Sequence, residues 1–236
     1  MYIIEGNIGA GKSTFLKLAE KYLPHVSIAL EPLHNWQKQV YGQSLLSNFY
    51  QDPKRWAYTL ETLAMMCRVR EHMNEQHVIQ LQYNRIRLIE RSIYSGHYCF
   101  TKNSYESGFL STLEWNIYKQ WFSFLIPGKC QPPRGFIYLN VDPEIAYQRI
   151  KKRNRLSEKK LTLAYLRNID QRHKDFLINK VDILPELENI PMLVLNCNNE
   201  FEKNEKQLQN HLDALQKFIK DTQLTIPTKK FPVKVV

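Results

Sequence analysis

The sequence is sparing with several things. Its four cysteines, Cys67, Cys99, Cys130 and Cys197, are scattered through 236 residues. They form no C-x-x-C pair and no metal-ligand spacing, which leaves reduced thiols inside a cell as the reading. No apolar run reaches the roughly 20 residues that cross a bilayer. The N-terminus has no cationic stretch followed by an apolar one, so no signal peptide is expected. A core strand starting at the first residue leaves no room for a transit peptide, and a cytoplasmic protein is expected. Repeats and low-complexity tracts are missing too. Acidic residues are in deficit, 23 against 33 Lys and Arg, for a net charge of +10. That balance points to anionic partners, either nucleic acid or nucleotide phosphates. The 43% hydrophobic and 24% charged content is ordinary for a soluble globular chain of one sizeable core.

Glycine is scarce, eight in all, yet three of the eight fall between residues 6 and 11. There Met1-Tyr2-Ile3-Ile4-Glu5 leads into Gly6-Asn7-Ile8-Gly9-Ala10-Gly11-Lys12-Ser13-Thr14-Phe15. The spacing is G-x-x-x-x-G-K-S between a short β-prone run and a helical pattern, the signature of a phosphate-binding loop. Glycines let successive N–H groups turn inward around a phosphate, at the positive end of the following helix. Lys12 adds a mobile charge for the terminal phosphates and Ser13 a hydroxyl for Mg²⁺.

Short apolar strands then alternate with helices. Strands are expected at Val26 to Leu30, Arg87 to Glu90, Phe136 to Val141 and Pro191 to Leu195. Helices are expected at Lys12 to Tyr22, Lys54 to Leu81 behind an Asp52 cap, Ser111 to Leu125, Glu144 to Arg153, Thr162 to Lys180 and Phe201 to Lys220. Residues 34–52 read as mixed short helix and loop, Ser92 to Gly108 as loop with some helix, and 221–236 as a loosely held tail. This order predicts an α/β fold with a parallel sheet, its ligands at the carboxyl ends of the strands. One domain over residues 1–220 follows.

Charged residues fall at those strand ends. Glu31 follows the second strand, placed either as a general base or as a turn cap before Pro32. Glu90 and Arg91 end the third, either as a Mg²⁺ ligand and a guanidinium steadying the attacking oxygen, or as a structural ion pair. The basic run from Arg149 to Lys160 is either a lid closing on the transferring phosphoryl group or a solvated face.

Taken together these residues resemble the deoxynucleoside kinases, the group that includes deoxycytidine, deoxyguanosine and mitochondrial thymidine kinases. The carriers are Ile4-Glu5-Gly6-Asn7-Ile8 into Gly11-Lys12-Ser13-Thr14, Glu31-Pro32 with Trp36, Leu45-Leu46 through Tyr50, Arg55-Trp56, Glu90-Arg91-Ser92-Ile93-Tyr94-Ser95, and Arg149 through Glu158 before Leu163-Ala164-Tyr165-Leu166. The resemblance covers Met1 to about Ile219. It implies a P-loop kinase fold with five parallel strands flanked by helices, and a small arginine-rich lid at about 149–160. The implied reaction transfers the terminal phosphoryl group of ATP or another nucleoside triphosphate to the 5′-hydroxyl of a deoxyribonucleoside, with Mg²⁺. It implies Glu31 as general base, Arg91 beside the hydroxyl, Tyr50 and Glu158 on the sugar 3′-hydroxyl, and Arg149, Arg153 and Arg155 as lid arginines. Gly6 to Thr14, including Ala10, would hold the donor phosphates, and Phe201 with Arg149 the donor base. The acceptor would meet Leu33, Trp36, Leu46, Phe49, Leu60, Glu61, Ala64, Arg68, Gly96 and Phe100, and Ser13 with Glu90 would hold the metal. A homodimer is implied, with the aromatic stretch Trp115 to Phe124 as a candidate surface; no nucleic-acid or membrane partner is.

Two positions depart from that family. Glu61 stands where the family has glutamine, and an ionised carboxylate only accepts hydrogen bonds. Gly96 stands where members carry aspartate or alanine. Glu61 and Arg68 lie seven residues apart on one helical face. A carboxylate accepting from N1–H and N2–H₂ and a guanidinium donating to O6 and N7 complement guanine. The alternatives are that the two form an ion pair closing the pocket, or that Glu61 is protonated when buried. The seven histidines, including His173, show no ligand spacing. A nucleoside-monophosphate kinase, a non-catalytic member of the same fold and a nucleic-acid-binding ATPase are the competing classes.

Overall fold

The computed structural model describes residues 1–31, 44–81, 85–126 and 129–225. Leu33 and Trp36, expected at the acceptor site, lie outside the described residues.

The five apolar runs form five strands: β1 (Tyr2–Glu5), β2 (Val26–Ala29), β3 (Ile86–Glu90), β4 (Gly135–Asn140) and β5 (Met192–Asn196). All pairings are parallel, in the order β2-β3-β1-β4-β5. β1 alternates its faces as a strand must. Tyr2 and Ile4 point into one core layer and Ile3 into the other. The first layer is closed by Phe15 and Leu16 of α1 (Lys12–Tyr22) and by Leu212 and Leu215 of α10 (Glu205–Thr225). The second is closed by Met65 and Val69 of α3 (Pro53–Leu81), Tyr118 and Phe122 of α6 (Thr112–Leu125) and Phe176 of α8 (Leu163–Leu177). A sheet buried on both faces explains why its strands read as continuous apolar runs. Because β1 sits between β3 and β4, successive connections leave it in opposite directions, and the crevice at its carboxyl end is where ligands bind in such sheets.

The remaining described elements are α2 (Leu45–Gln51), α7 (Pro143–Arg153), a 3₁₀ turn (Leu156–Glu158) and α9 (Pro185–Glu188). Two stretches differ from expectation. Ser92 to Gly108 is mostly helix: α4 (Ile93–Ser95), a π turn (Gly96–Thr101) and α5 (Lys102–Glu106). Ser92 and Ser95 form a capping box at its start. Burial of Ile93, Tyr94, Tyr98 and Cys99 overrides a composition of loop-forming residues. The last helix runs to Thr225, because Thr222 is buried with its Oγ1 2.8 Å from the Tyr2 hydroxyl. Residues 226–236 lie outside the description.

Candidate active site

The glycine-rich loop joins β1 to α1. Gly6, Gly9 and Gly11 all have positive φ, at 146°, 83° and 92°. Gly11 caps α1 with no side-chain hydrogen bond, and the first turn has no acidic residue, so the helix presents its N–H groups and positive end to the loop. Space is short there as well: a Cβ on Gly11 would lie 3.0 Å from the Phe201 ring. Asn7 ties the loop down, its Nδ2 donating to the Leu166 carbonyl at 2.9 Å and its Oδ1 accepting from the Ile8 N–H at 2.8 Å. Ala10 is fully buried beneath the loop. Lys12 is folded inward, its Nζ donating to the carbonyls of Asn7 (2.9 Å) and Gly6 (3.1 Å). Burial lowers its pKa to about 7; Arg91 adds to the effect, while Glu90, Glu31 and Glu5 oppose it. Ser13 donates to both carboxylate oxygens of Glu90 at 2.9 Å. Thr14 follows it in the first turn of α1.

A cavity of about 110 Å³ opens in front of this loop. Ile8, Gly9, Lys12 and Ser13 wall one side, and Glu31, Glu90 and Arg91 come in from the ends of β2 and β3. Glu31 is the centre of a three-part ion pair. Its Oε1 accepts from Arg68 Nη2 at 2.7 Å and its Oε2 from Arg91 Nε at 3.2 Å, with all three side chains largely buried. Burial alone would raise the Glu31 pKa, but the two guanidiniums and Lys12 hold it at about 2. Arg91 has φ +64°, a left-handed backbone unusual outside glycine. That turn at the strand end brings its guanidinium within 3.4 Å of the Gly6 carbonyl and over the Phe100 ring, 4.5 Å from its centroid. Beneath lies Glu5, fully buried, accepting from the Ser92 hydroxyl at 2.5 Å.

The far wall is apolar, built from Leu46, Phe49, Leu60, Ala64 and Phe100, with Tyr50 and Tyr165 beside them. Glu61 sits in this wall, only 4% exposed. Its Oε1 accepts from the Ser104 hydroxyl at 3.0 Å and its Oε2 from the Thr101 hydroxyl at 3.1 Å. Burial raises its pKa to about 7 against the opposing Arg68 charge and those two hydrogen bonds. Arg68 itself turns to Glu31 rather than to Glu61. Gly96 makes room for it: a Cβ there would lie 2.8 Å from Arg68 Nη1. The rim is closed by Glu158, which accepts from Arg153 Nη2 at 2.7 and 2.9 Å and pairs with Arg155 Nη1 at 3.6 Å. Tyr50 is buried near it, and burial together with the Glu158 charge pushes its hydroxyl pKa up.

The comparison with known families decides between the competing classes, because the deoxynucleoside kinase family model matches residues 2–220. The chain belongs to the deoxynucleoside kinase family. It is 36% identical over 231 residues to the Xenopus laevis mitochondrial deoxyguanosine kinase, covering 89% of this chain and 87% of that one. It is 36% identical over 238 residues to Gallus gallus deoxycytidine kinase 2 (92% and 89% covered), and 31% identical over 212 residues to human mitochondrial thymidine kinase 2 (90% and 76% covered). The relatives span guanine, cytosine and thymine nucleosides by name.

Most of the expected site residues of this kinase family member line this cavity. Among the described ones, Gly6, Asn7, Ala10, Gly11, Thr14 and Gly96 do not, and neither do Arg149 and Phe201, which have other partners. Arg149 turns to the residues after β5, its Nη2 donating to the carbonyls of Cys197, Asn198 and Asn199 at 2.8–3.3 Å. Phe201 is 4% exposed and packs edge-on against Phe15, its ring centroid 6.2 Å away, in the core behind Gly11. Sequence reasoning missed Thr101, Ser104 and Tyr165. The first two are three residues apart, hence on one helical face, but only a helix assignment at 92–108 reveals that. His173 is fully buried, its Nδ1 2.8 Å from the Ile169 carbonyl, and stacks on Tyr138 in a structural role. Among the described residues no group of three His, Cys, Asp or Glu side chains is placed to hold a metal, and no helix is long and apolar enough to cross a membrane.

Proposed function

We propose that this chain transfers the terminal phosphoryl group of ATP or another nucleoside triphosphate to the 5′-hydroxyl of a deoxyribonucleoside. The observation that carries this is the Glu31 carboxylate held between Arg68 and Arg91 in the same cavity as Lys12 and the glycine-rich loop. The loop and Lys12 bind the donor phosphates. Glu31 takes the proton from the acceptor hydroxyl. Arg91 keeps one buried nitrogen, Nη1, without a hydrogen-bond partner among the described residues, a donor suited to the attacking oxygen. Glu158 with Tyr50 binds the sugar, and Arg153 and Arg155 neutralise developing charge at the rim. Arg149 and Phe201 support the loop that borders the donor base. Such a transfer demands positioning and charge neutralisation rather than covalent chemistry.

Ser13 and Glu90 offer a hydroxyl and a carboxylate, hard oxygens of the kind Mg²⁺ prefers, and Mg²⁺ takes its other ligands from phosphate and water. When bound it supplies Lewis-acid neutralisation of the phosphates. The preferred acceptor is deoxyguanosine, whose two edge donors match the ionised Glu61, with Arg68 nearby for O6 and N7. Residues 1–220 act as one unit. They pair as a homodimer, supported by exposed Leu113, Trp121 and Phe124 on α6 and Met66 and Met73 on α3. The four buried free cysteines suit a reducing compartment, read as the cytoplasm.

The test incubates the protein with labelled ATP, Mg²⁺ and each of the four natural deoxynucleosides. Product should form, and Glu31→Gln should cut kcat by about 10²–10⁴-fold. Undiminished turnover in that variant removes Glu31 from its role, and a better yield with a nucleoside monophosphate than with any nucleoside removes the assignment.

A further inference from the structure

Three carboxylates line the acceptor end of the cavity, and they are not alike. Glu31 is held by two arginines and Glu158 by two more. Glu61 is held by two neutral hydroxyls, those of Thr101 and Ser104, and no cation lies within 4.0 Å of it among the described residues. A buried carboxyl with neutral partners has no fixed charge state, since desolvation favours the acid and hydrogen bonding favours the anion. Its partner can follow either state. The Thr101 hydroxyl has one proton and two acceptors in reach, Glu61 Oε2 at 3.1 Å and the Gly96 carbonyl at 3.0 Å. It donates to the carboxylate when Glu61 is ionised, and to the Gly96 carbonyl when Oε2 carries a proton.

We propose that Glu61 selects the acceptor base by its protonation state, its carboxylate taking guanine and its neutral acid taking cytosine or adenine. The hydrogen-bond inventory sets this out. The carboxylate accepts twice, matching the N1–H and N2–H₂ donors of guanine. The acid accepts once and donates once, matching the exocyclic amine and ring nitrogen of cytosine (N4–H₂ and N3) or adenine (N6–H₂ and N1). In the wrong state a lone pair meets a lone pair, or a donor meets a donor, in a wall shared with Leu60, Ala64 and Phe100 where Glu61 is only 4% exposed. Burial brings the equilibrium to about pH 7, inside the working range. Other groups face Glu61 from each neighbouring helix: Arg68 from its own α3, Tyr50 from α2, Tyr118 from α6 and Tyr165 from α8. Burial pushes the three tyrosines far above neutral, so none of them changes charge across that range.

This inference rests on the kinase reading, and one experiment separates their failures. kcat/KM is measured for deoxyguanosine and for deoxycytidine from pH 6 to pH 8.5 at saturating donor, and their ratio is taken. Titrations common to both substrates, at Lys12 or Glu31, cancel in the ratio. The ratio should rise about tenfold per pH unit, because one substrate follows the anion and the other the acid. In Glu61→Gln the ratio should be flat, since an amide does not titrate. Equilibrium binding of the two nucleosides to the unaltered protein should show the same slope if that variant fails to fold. A flat ratio in an active enzyme overturns the inference alone, as does an unchanged slope in Glu61→Gln. A folded protein that phosphorylates no deoxynucleoside at any pH overturns the kinase reading and the inference with it.

Discussion

Lys12 should make donor binding a proton-uptake reaction. Its ammonium is buried among the Gly6 and Asn7 carbonyls, and loss of water lowers its pKa to about 7. Triphosphate brought into the same loop adds negative charge and restores the ordinary, fully protonated lysine. At pH 8 a group of pKa 7 is about nine-tenths neutral, so binding should take up about 0.9 proton per site; at pH 6 the uptake should fall to about 0.1. The phosphate's own last ionisation, near pH 6, is complete at pH 8 and adds nothing there. By linkage, affinity should weaken almost tenfold per pH unit above 7. Titration calorimetry with Mg²⁺ and ATP at pH 8, in phosphate and then in Tris, reads the uptake from the difference in apparent enthalpy between buffers of different ionisation heat. Lys12→Arg, whose guanidinium is charged at every working pH, should abolish the uptake. Equal enthalpies in both buffers for the unaltered protein would refute the reasoning, and so would an uptake that survives in Lys12→Arg.

Gly11→Ala and Gly108→Ala form a matched pair, since both glycines have positive φ (92° and 70°), but only the first has a neighbour, the Phe201 ring, within 4 Å of a new Cβ. Gly108→Ala should cost about 1 kcal/mol and Gly11→Ala roughly 2–3 kcal/mol, at about 2–4 °C of Tm per kcal/mol; equal losses of Tm would show that the ring contact is not felt. Glu31, whose pKa is held near 2 in the fold, stabilises the protein above its ordinary carboxylate pKa of 4.5, and that contribution is lost as pH falls from 4.5 towards 2. The stability gap between the unaltered protein and Glu31→Gln should therefore be of order 3 kcal/mol near neutrality and close on acidification, as followed by urea denaturation; a gap independent of pH would remove the arginine clamp from the account.

Much of this was legible beforehand where chain-local chemistry decides it. The loop at Gly6 to Ser13 has its geometry written into its glycines. Glu31, Glu90 and Arg91 could be placed because parallel strands end at the ligand crevice. What escaped depended on partners distant in sequence. Arg68 choosing Glu31, 37 residues away, cannot be read from the α3 face that carries it. Arg149 turned to three carbonyls some 50 residues on, so an arginine that read as part of the lid is tied to the loop after β5. The stretch after Ser92 read as loop with only some helix because serine, glycine, tyrosine and asparagine are weak helix formers, and tertiary burial makes it mostly helical.

The π turn from Gly96 to Thr101 takes one residue more than an α-helical turn to make the same rotation. Losing that residue would close the turn as ordinary α-helix and leave the side chains that follow in phase. Thr101 and Ser104 would still face Glu61. A deletion in the regular helix between Thr101 and Ser104 has no such slack, and would swing Ser104 by about 100° away from its partner. The π turn is thus the one stretch of this described wall where chain length can change without disturbing the hydroxyl pair.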